Sequence, residues 1–234
     1  MVAIPTPAVS VDADMDSGVD ATLRLWQLIS PSLPVGAYAY SNGLEQLIAT
    51  CDVRNETDVA EWLDDMLTAG LARTDLPVLI RVQLAAAGDD VGTAIRWCRR
   101  LLAMRDTAEL RFADRSMGDA LARLLAGLGV RIPEGPWPFA GAFAFAAAAW
   151  GVPVGDAALG YAWSWCESQV AAAIKLVPLG HTAGQRVMLG RAAAIRAAVA
   201  LALSLDDGEI GFGMPGLAIA SARHETQYTR LFRS

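Results

Sequence analysis

The segment "DVAEWLDDMLTAGL", residues 58–71, spaces its apolar side chains as one face of a helix does. Val59, Trp62, Leu63, Met66, Leu67, Gly70 and Leu71 recur at i, i+3, i+4, i+7, i+8, i+11 and i+12, while Glu61, Asp64 and Asp65 fall off that stripe. Upstream, Asp20 is placed to cap a helix carrying Leu23, Leu25, Trp26, Leu28 and Ile29, which must end before Pro31. Asn42 and Glu45 have the spacing of a capping box and open a short helix toward Thr50. Downstream, "DLPVLIRVQLAAA" tolerates Pro77 near a helix start, where the N–H lacks a partner anyway, and Gly88 closes it. Two further helices are expected over residues 91–104 and 107–126, with Gly127 and Gly129 as the stop. "FAGAFAFAAAAW" reads as a short alanine-rich helix closed by Gly151 and Pro153, residues 156–177 as a long helix, and "GQRVMLGRAAAIRAAVALALSL" as another. No period-two run of β-branched residues breaks the series, so the fold class is all-α.

The 234 residues are 54% hydrophobic and 19% charged, a balance that excludes disorder of the whole chain. A single globule of this size hides roughly 70–75% of its unfolded surface. Pro, Ser, Gly and Asp dominate residues 1–20, which read as a disordered tail. Residues 21–234 then form one compact helical bundle with two alanine-rich central helices, whose small side chains let axes approach closely. There is no internal repeat and no further domain boundary. The net charge of −6 argues against a nucleic-acid partner. The longest apolar stretch, residues 157–179, is interrupted by Glu167 and Lys175 and closed by Pro178, so it reads as a buried helix and not a membrane span. Cys51, Cys98 and Cys166 are odd in number, far apart and outside any C-x-x-C pair, as reduced thiols of a cytoplasmic protein would be. No secretory signal is visible at the start.

Catalytic and metal signatures are missing. There is no P-loop and no G-x-S-x-G elbow, and "HET" at residues 224–226 lacks the second histidine of a zinc protease. Two histidines and three scattered cysteines make a poor metal site. His224 and Glu225, adjacent on a helix, point apart and cannot form a dyad; His224 reads as packing or hydrogen-bonding at a surface. The expectation is a binding protein without cofactor or metal. The alternative is a small helical enzyme or ligand carrier using the alanine-lined helices as a pocket.

Four motifs in order, "LISPSLPVGAYAYSNGLE", "RDTAELRFADRSMG", "WSWCESQVAAAIKLVPLGHTAGQR" and "PGLAIASARHETQYTRLFRS", resemble the urease accessory protein F family (UreF) from about residue 23 to 234. Tyr38, Asn42 and His181 stand where the family more often has other residues. The resemblance implies a non-enzymatic, all-helical, dimeric cytoplasmic scaffold for urease maturation. It would join the D-type accessory protein (H in some species), recruit or regulate the G-type GTPase, and dock on apo-urease for nickel insertion. A tail from about residue 220 would order on the D-type partner. The implied partner-facing residues are Tyr38, Lys175, His224, Arg230, Leu231 and Phe232.

The residues bear on two of these segments directly. Pro31, Pro34 and Gly36 stiffen the loop over residues 30–45, which presents Tyr38 at low entropic cost, with Tyr40 expected in the core. In the C-terminal segment, Leu231 and Phe232 are candidate apolar anchors and Arg230 a carboxylate-binding guanidinium. Lys175, the only lysine, suits a helix C-terminus by charge alone. The arginines of residues 94–115 interleave with Asp106, Glu109 and Asp114 and read as a solvated or ion-paired surface.

Overall fold

The computed structural model describes residues 13–233, with side chains described from residue 18 onward. The described chain is helical throughout, without a strand: α1 Ala13–Ile29, α2 Leu44–Ala49, α3 Glu56–Asp65, α4 Asp75–Ala87, α5 Val91–Ala103, α6 Ala108–Gly127, α7 Phe139–Ala149, α8 Val154–Leu176, α9 His181–Gly190, α10 Ala192–Ser204 and α11 Pro215–His224. Polar caps set several starts. Asn55 accepts from the N–H groups of Thr57 and Asp58 at α3, Asp90 from Thr93 at α5, and Thr107 from Leu110 at α6.

α7 is the centre. Its residues 140–147 are all buried, and it packs between α4 and α6 with α8 across it. α4 is equally enclosed over residues 75–80, since an apolar helix with no polar face must be covered on every side. Close approach is written into Gly118 of α6: a Cβ there would lie 2.0 Å from the Trp137 carbonyl oxygen. The same helix caps its neighbour, because Asp114 Oδ1 accepts the Phe139 N–H at 2.8 Å, where Pro138 offers no side-chain cap. α8 runs along the other side against α1, α9 and α10.

Several boundaries differ from the sequence reading. The first twelve positions of the expected tail lie outside the described residues, but helix is already present from Ala13, before the Asp20 cap. The stripe over residues 58–71 is helical to its end, though α3 stops at Asp65 and Met66–Leu71 forms a wider π turn that keeps Met66, Leu67, Gly70 and Leu71 buried. The last long helix is two, α9 and α10, bent by 42° at Gly190–Arg191. α10 is alanine-rich but peripheral: Ile195, Ala198, Val199 and Ala202 face inward, and its other side is open. The Asn42–Glu45 capping box is absent. Asn42 and Gly43 both turn left-handed (φ 51° and 82°), the α2 cap is Gly43, and the Glu45 N–H reaches Ser41 Oγ at 3.3 Å. That frees the Glu45 side chain to turn inward.

Tyr40 is buried, as expected, and so are Cys98 and Cys166, whose thiols burial pushes up to about 12; all three cysteines are unpaired. Among the described residues no single helix is long and apolar enough to cross a membrane.

Candidate functional site

The C-terminal segment, expected from the resemblance to order on the D-type partner, is docked on the chain itself. α11 buries Ala220, Ser221 and His224, and residues 225–233 return toward the turn at Ala37–Ala39, where the Arg233 N–H donates to the Ala39 carbonyl at 2.8 Å. Glu45 holds the segment. Its Oε1 accepts the Leu231 N–H at 2.7 Å and its Oε2 the Phe232 N–H at 2.9 Å. These two backbone donors belong to no helix, so an inward carboxylate is what satisfies them.

His224, fully buried, joins Glu45 to α6. Its Nε2 lies 2.9 Å from Glu45 Oε2, and its Nδ1 lies 3.0 and 3.1 Å from the two Glu109 oxygens. Carboxylates only accept, so both contacts are hydrogen bonds when both ring nitrogens carry hydrogen. Arg230 closes the chain of contacts, donating from a guanidinium nitrogen to Glu109 Oε1 at 2.9 Å, with 38% of its side chain still exposed. The Arg230 guanidinium and the His224 ring nitrogens thus supply polar partners to two buried carboxylates, as burial demands. Thr107 and Ser221 share a hydroxyl bond of 2.7 Å beside them.

A second buried ionic cluster lies under the loop over residues 30–42. Arg105 donates to Asp114 Oδ2 at 2.9 Å and takes Asp75 in both oxygens, while Thr74 and Tyr161 also donate to Asp75, at 2.9 and 3.3 Å. Burial alone would raise the Asp75 carboxyl, but the Arg105 charge and the surrounding hydrogen bonds outweigh it and hold it below the usual carboxylate range. Asp114 goes the other way, raised by burial and by Asp75 in spite of Arg105. Burial, then the two carboxylates, keeps the Tyr161 hydroxyl protonated well above its ordinary range. These residues line a cavity of about 200 Å³ that Tyr38, Tyr40, Ser164 and Lys175 also border.

The described residues contain no group of three or more His, Cys, Asp and Glu side chains arranged to hold a metal ion. The docked tail instead brings together residues far apart in sequence. Tyr38 (73% exposed), Lys175 and Leu231 (65% exposed) border one cleft with Phe232, and the Lys175 ammonium sits 5.7 Å above the Phe232 ring.

The UreF family model matches residues 53–192. A urease accessory protein UreF of Alkalilimnicola ehrlichii is 51% identical over 92% of this chain and 96% of its own length. Those of Marinobacter nauticus and Psychrobacter cryohalolentis are 46% and 47% identical, each over 92% of this chain and 94% of their own. The chain belongs to the UreF family of urease accessory proteins.

Within this UreF chain four of the six residues singled out from sequence, Tyr38, Lys175, Leu231 and Phe232, border one cleft, while His224 and Arg230 meet at Glu109. Tyr38, Lys175, Arg230 and Leu231 are exposed. Phe232 is buried against its own chain, because the Glu45 bond to its N–H turns the ring inward, and so it is not a free anchor. His224 is an interior bridge and not a surface residue. Two charged members of the segment read as a solvated or ion-paired surface, Glu109 and Asp114, are ion-paired to arginines but buried and not at the surface. Sequence reasoning missed Glu45, Asp75 and Glu109 as structural carboxylates. A signal existed for Asp75: it opens the helix "DLPVLIRVQL", which has almost no polar face for a charge to occupy.

Proposed function

We propose that this UreF chain is a scaffold that binds the D/H-type urease accessory protein, recruits and regulates the G-type GTPase, and presents the assembly to apo-urease for nickel insertion. The observation that carries the reading is the docked tail, which sets Leu231 beside Tyr38 and Lys175 in one exposed cleft and holds the half-exposed Arg230, its neighbour in the chain, on Glu109. Aromatic and arginine side chains around an apolar strip are the composition of protein interfaces. The chain works in the cytoplasm, consistent with three free thiols. It also pairs with a second copy, consistent with exposed Trp26, Leu189 and Leu203; sedimentation at micromolar concentration should show a dimer, and monomer alone would refute it. A ligand carrier would use the 200 Å³ cavity, but the charged groups on its floor are already paired with one another.

Co-purification in every pairwise and three-way combination tests the scaffold. The D-type protein should bind the chain by itself, and the GTPase should be retained only when it is present, one partner pre-organising the face for the next. Arg230→Ala should keep the D-type protein and weaken GTPase binding by about 2–4 kcal/mol, the range of a buried guanidinium hot spot. GTPase binding to the isolated chain as tightly as to the complex, or normal recruitment by Arg230→Ala, would refute this order. Deleting residues 220–234 is a poor test, since it removes four residues that the core buries, Ala220, Ser221, His224 and Phe232.

A further inference from the structure

Between the turn at Ala37–Ala39, α6, the end of α8 and the docked tail lies a cleft of about 460 Å³. Arg123 enters it from α6, Lys175 from α8 and Arg233 from the tail. All three are exposed, and among the described residues none has a carboxylate within 4.0 Å. Among the described residues no Asp or Glu lines the cleft, in a chain where 25 acidic residues outnumber 19 basic ones. Asp119, one turn before Arg123, does not reach it. The wall between the cations is apolar and exposed: the Tyr38 ring and the Leu231 side chain.

We infer that this cleft receives an acidic segment of a partner protein, its carboxylates on Arg123, Lys175 and Arg233 and its apolar side chains on Tyr38 and Leu231. Three cations from three separate elements, spread around a wide cleft, match several carboxylates along a chain better than one compact anion. The guanidinium forks of Arg123 and Arg233 take carboxylates two oxygens at a time, and Lys175 supplies a point charge. A free phosphate would leave the Tyr38 and Leu231 surface unmatched. The excess of positive potential in an otherwise acidic molecule also steers an acidic partner to this face and makes the encounter salt-dependent. The inference rests on the docked tail and deepens the proposed recruitment by giving the chemistry of the surface that seats here.

The test is the anisotropy of a fluorescein-labelled hexaglutamate peptide titrated with the full chain at 50 and 300 mM NaCl. Saturable binding at 50 mM should weaken at least tenfold at 300 mM. Arg123→Glu/Lys175→Gln, which gives up the Lys175 contact with the Phe232 ring and should lower the melting temperature by no more than a few degrees, should weaken it at least tenfold at 50 mM. A hexalysine peptide should not bind. Absence of saturable hexaglutamate binding, or equal binding by the double variant, overturns the inference. So does inorganic phosphate that displaces the peptide mole for mole, which would make the cleft a phosphate site. GTPase retention by the D-type complex, read on the same proteins, separates the two levels. A peptide that fails while the GTPase is retained overturns only the cleft chemistry. A GTPase that is never retained overturns the scaffold reading and leaves the peptide result standing.

Discussion

Arg105→Ala should destabilise the fold by about 3–5 kcal/mol, because it leaves two interior carboxylates without their cation. Asp75 and Asp114 are each nearly buried, and Arg105 is the guanidinium that both contact. In the intact protein Asp75 is held low, so its contribution is present above the unfolded carboxylate value of about 3.9 and is lost as pH falls through its folded value. Asp114 is held high, so its ionisation costs stability at neutral pH and that cost disappears on acidification. Without Arg105 both carboxyls lie above their unfolded values. The variant's stability then rises as pH falls through those raised values, and its deficit against the wild type is narrower at pH 5 than at pH 7.5. Urea unfolding at the two pH values measures this. A deficit below about 1 kcal/mol at pH 7.5, the scale of a surface ion pair, or one that widens at pH 5, would refute the buried-cluster account.

His224→Ala should lose about 3 kcal/mol and release the C-terminal segment. The figure sits at the low end for a broken buried charge network, because each carboxylate keeps another donor: Glu45 the Leu231 and Phe232 N–H groups, Glu109 the Arg230 guanidinium. Those remaining bonds all go to the tail, whose register His224 fixes by tying Glu45 on α2 to Glu109 on α6. With that tie gone, the backbone around Arg223, Arg230 and Arg233 opens to protease. Tryptic cleavage after these arginines, followed by mass spectrometry, should accelerate at least tenfold, while cuts within α4 and α6 stay slow. Unchanged cleavage would mean that the tail is held by something other than the Glu45–His224–Glu109 bridge.

How far the sequence reaches can be seen by comparing elements. The helices over residues 91–103 and 108–127 and the buried α7 were legible because their caps and stops are local: Asp90 and Thr107 at the starts, the glycines and Pro153 at the ends. The α9–α10 break was not, since the alanine-rich helical pattern resumes directly after Gly190 and Arg191; both halves pack on α8. The fate of Glu45 shows the harder limit. Its spacing from Asn42 matched a capping box, but two left-handed residues moved the helix start, and the side chain's true partners lie some 180 residues away. A long-range partner leaves no periodic trace. Tyr38 and Lys175 could be singled out from motifs, whereas the cleft joining them needs the tail to be docked, a tertiary event that no local pattern encodes.

In the proposed scaffold an internal carboxylate, by docking the tail, creates the face that recruits the GTPase. Glu45→Gln tests it most directly, because Glu45 is buried and out of reach of any partner. Glutamine places an amide NH₂ where one oxygen accepted a tail N–H, so one of the two backbone bonds becomes donor against donor. The measurement is GTPase retention on the chain pre-bound to the D-type protein. The account predicts that Glu45→Gln still binds the D-type protein, keeps its helical circular-dichroism spectrum, and retains at most a tenth of the wild-type GTPase. Full retention of the GTPase by Glu45→Gln would contradict it.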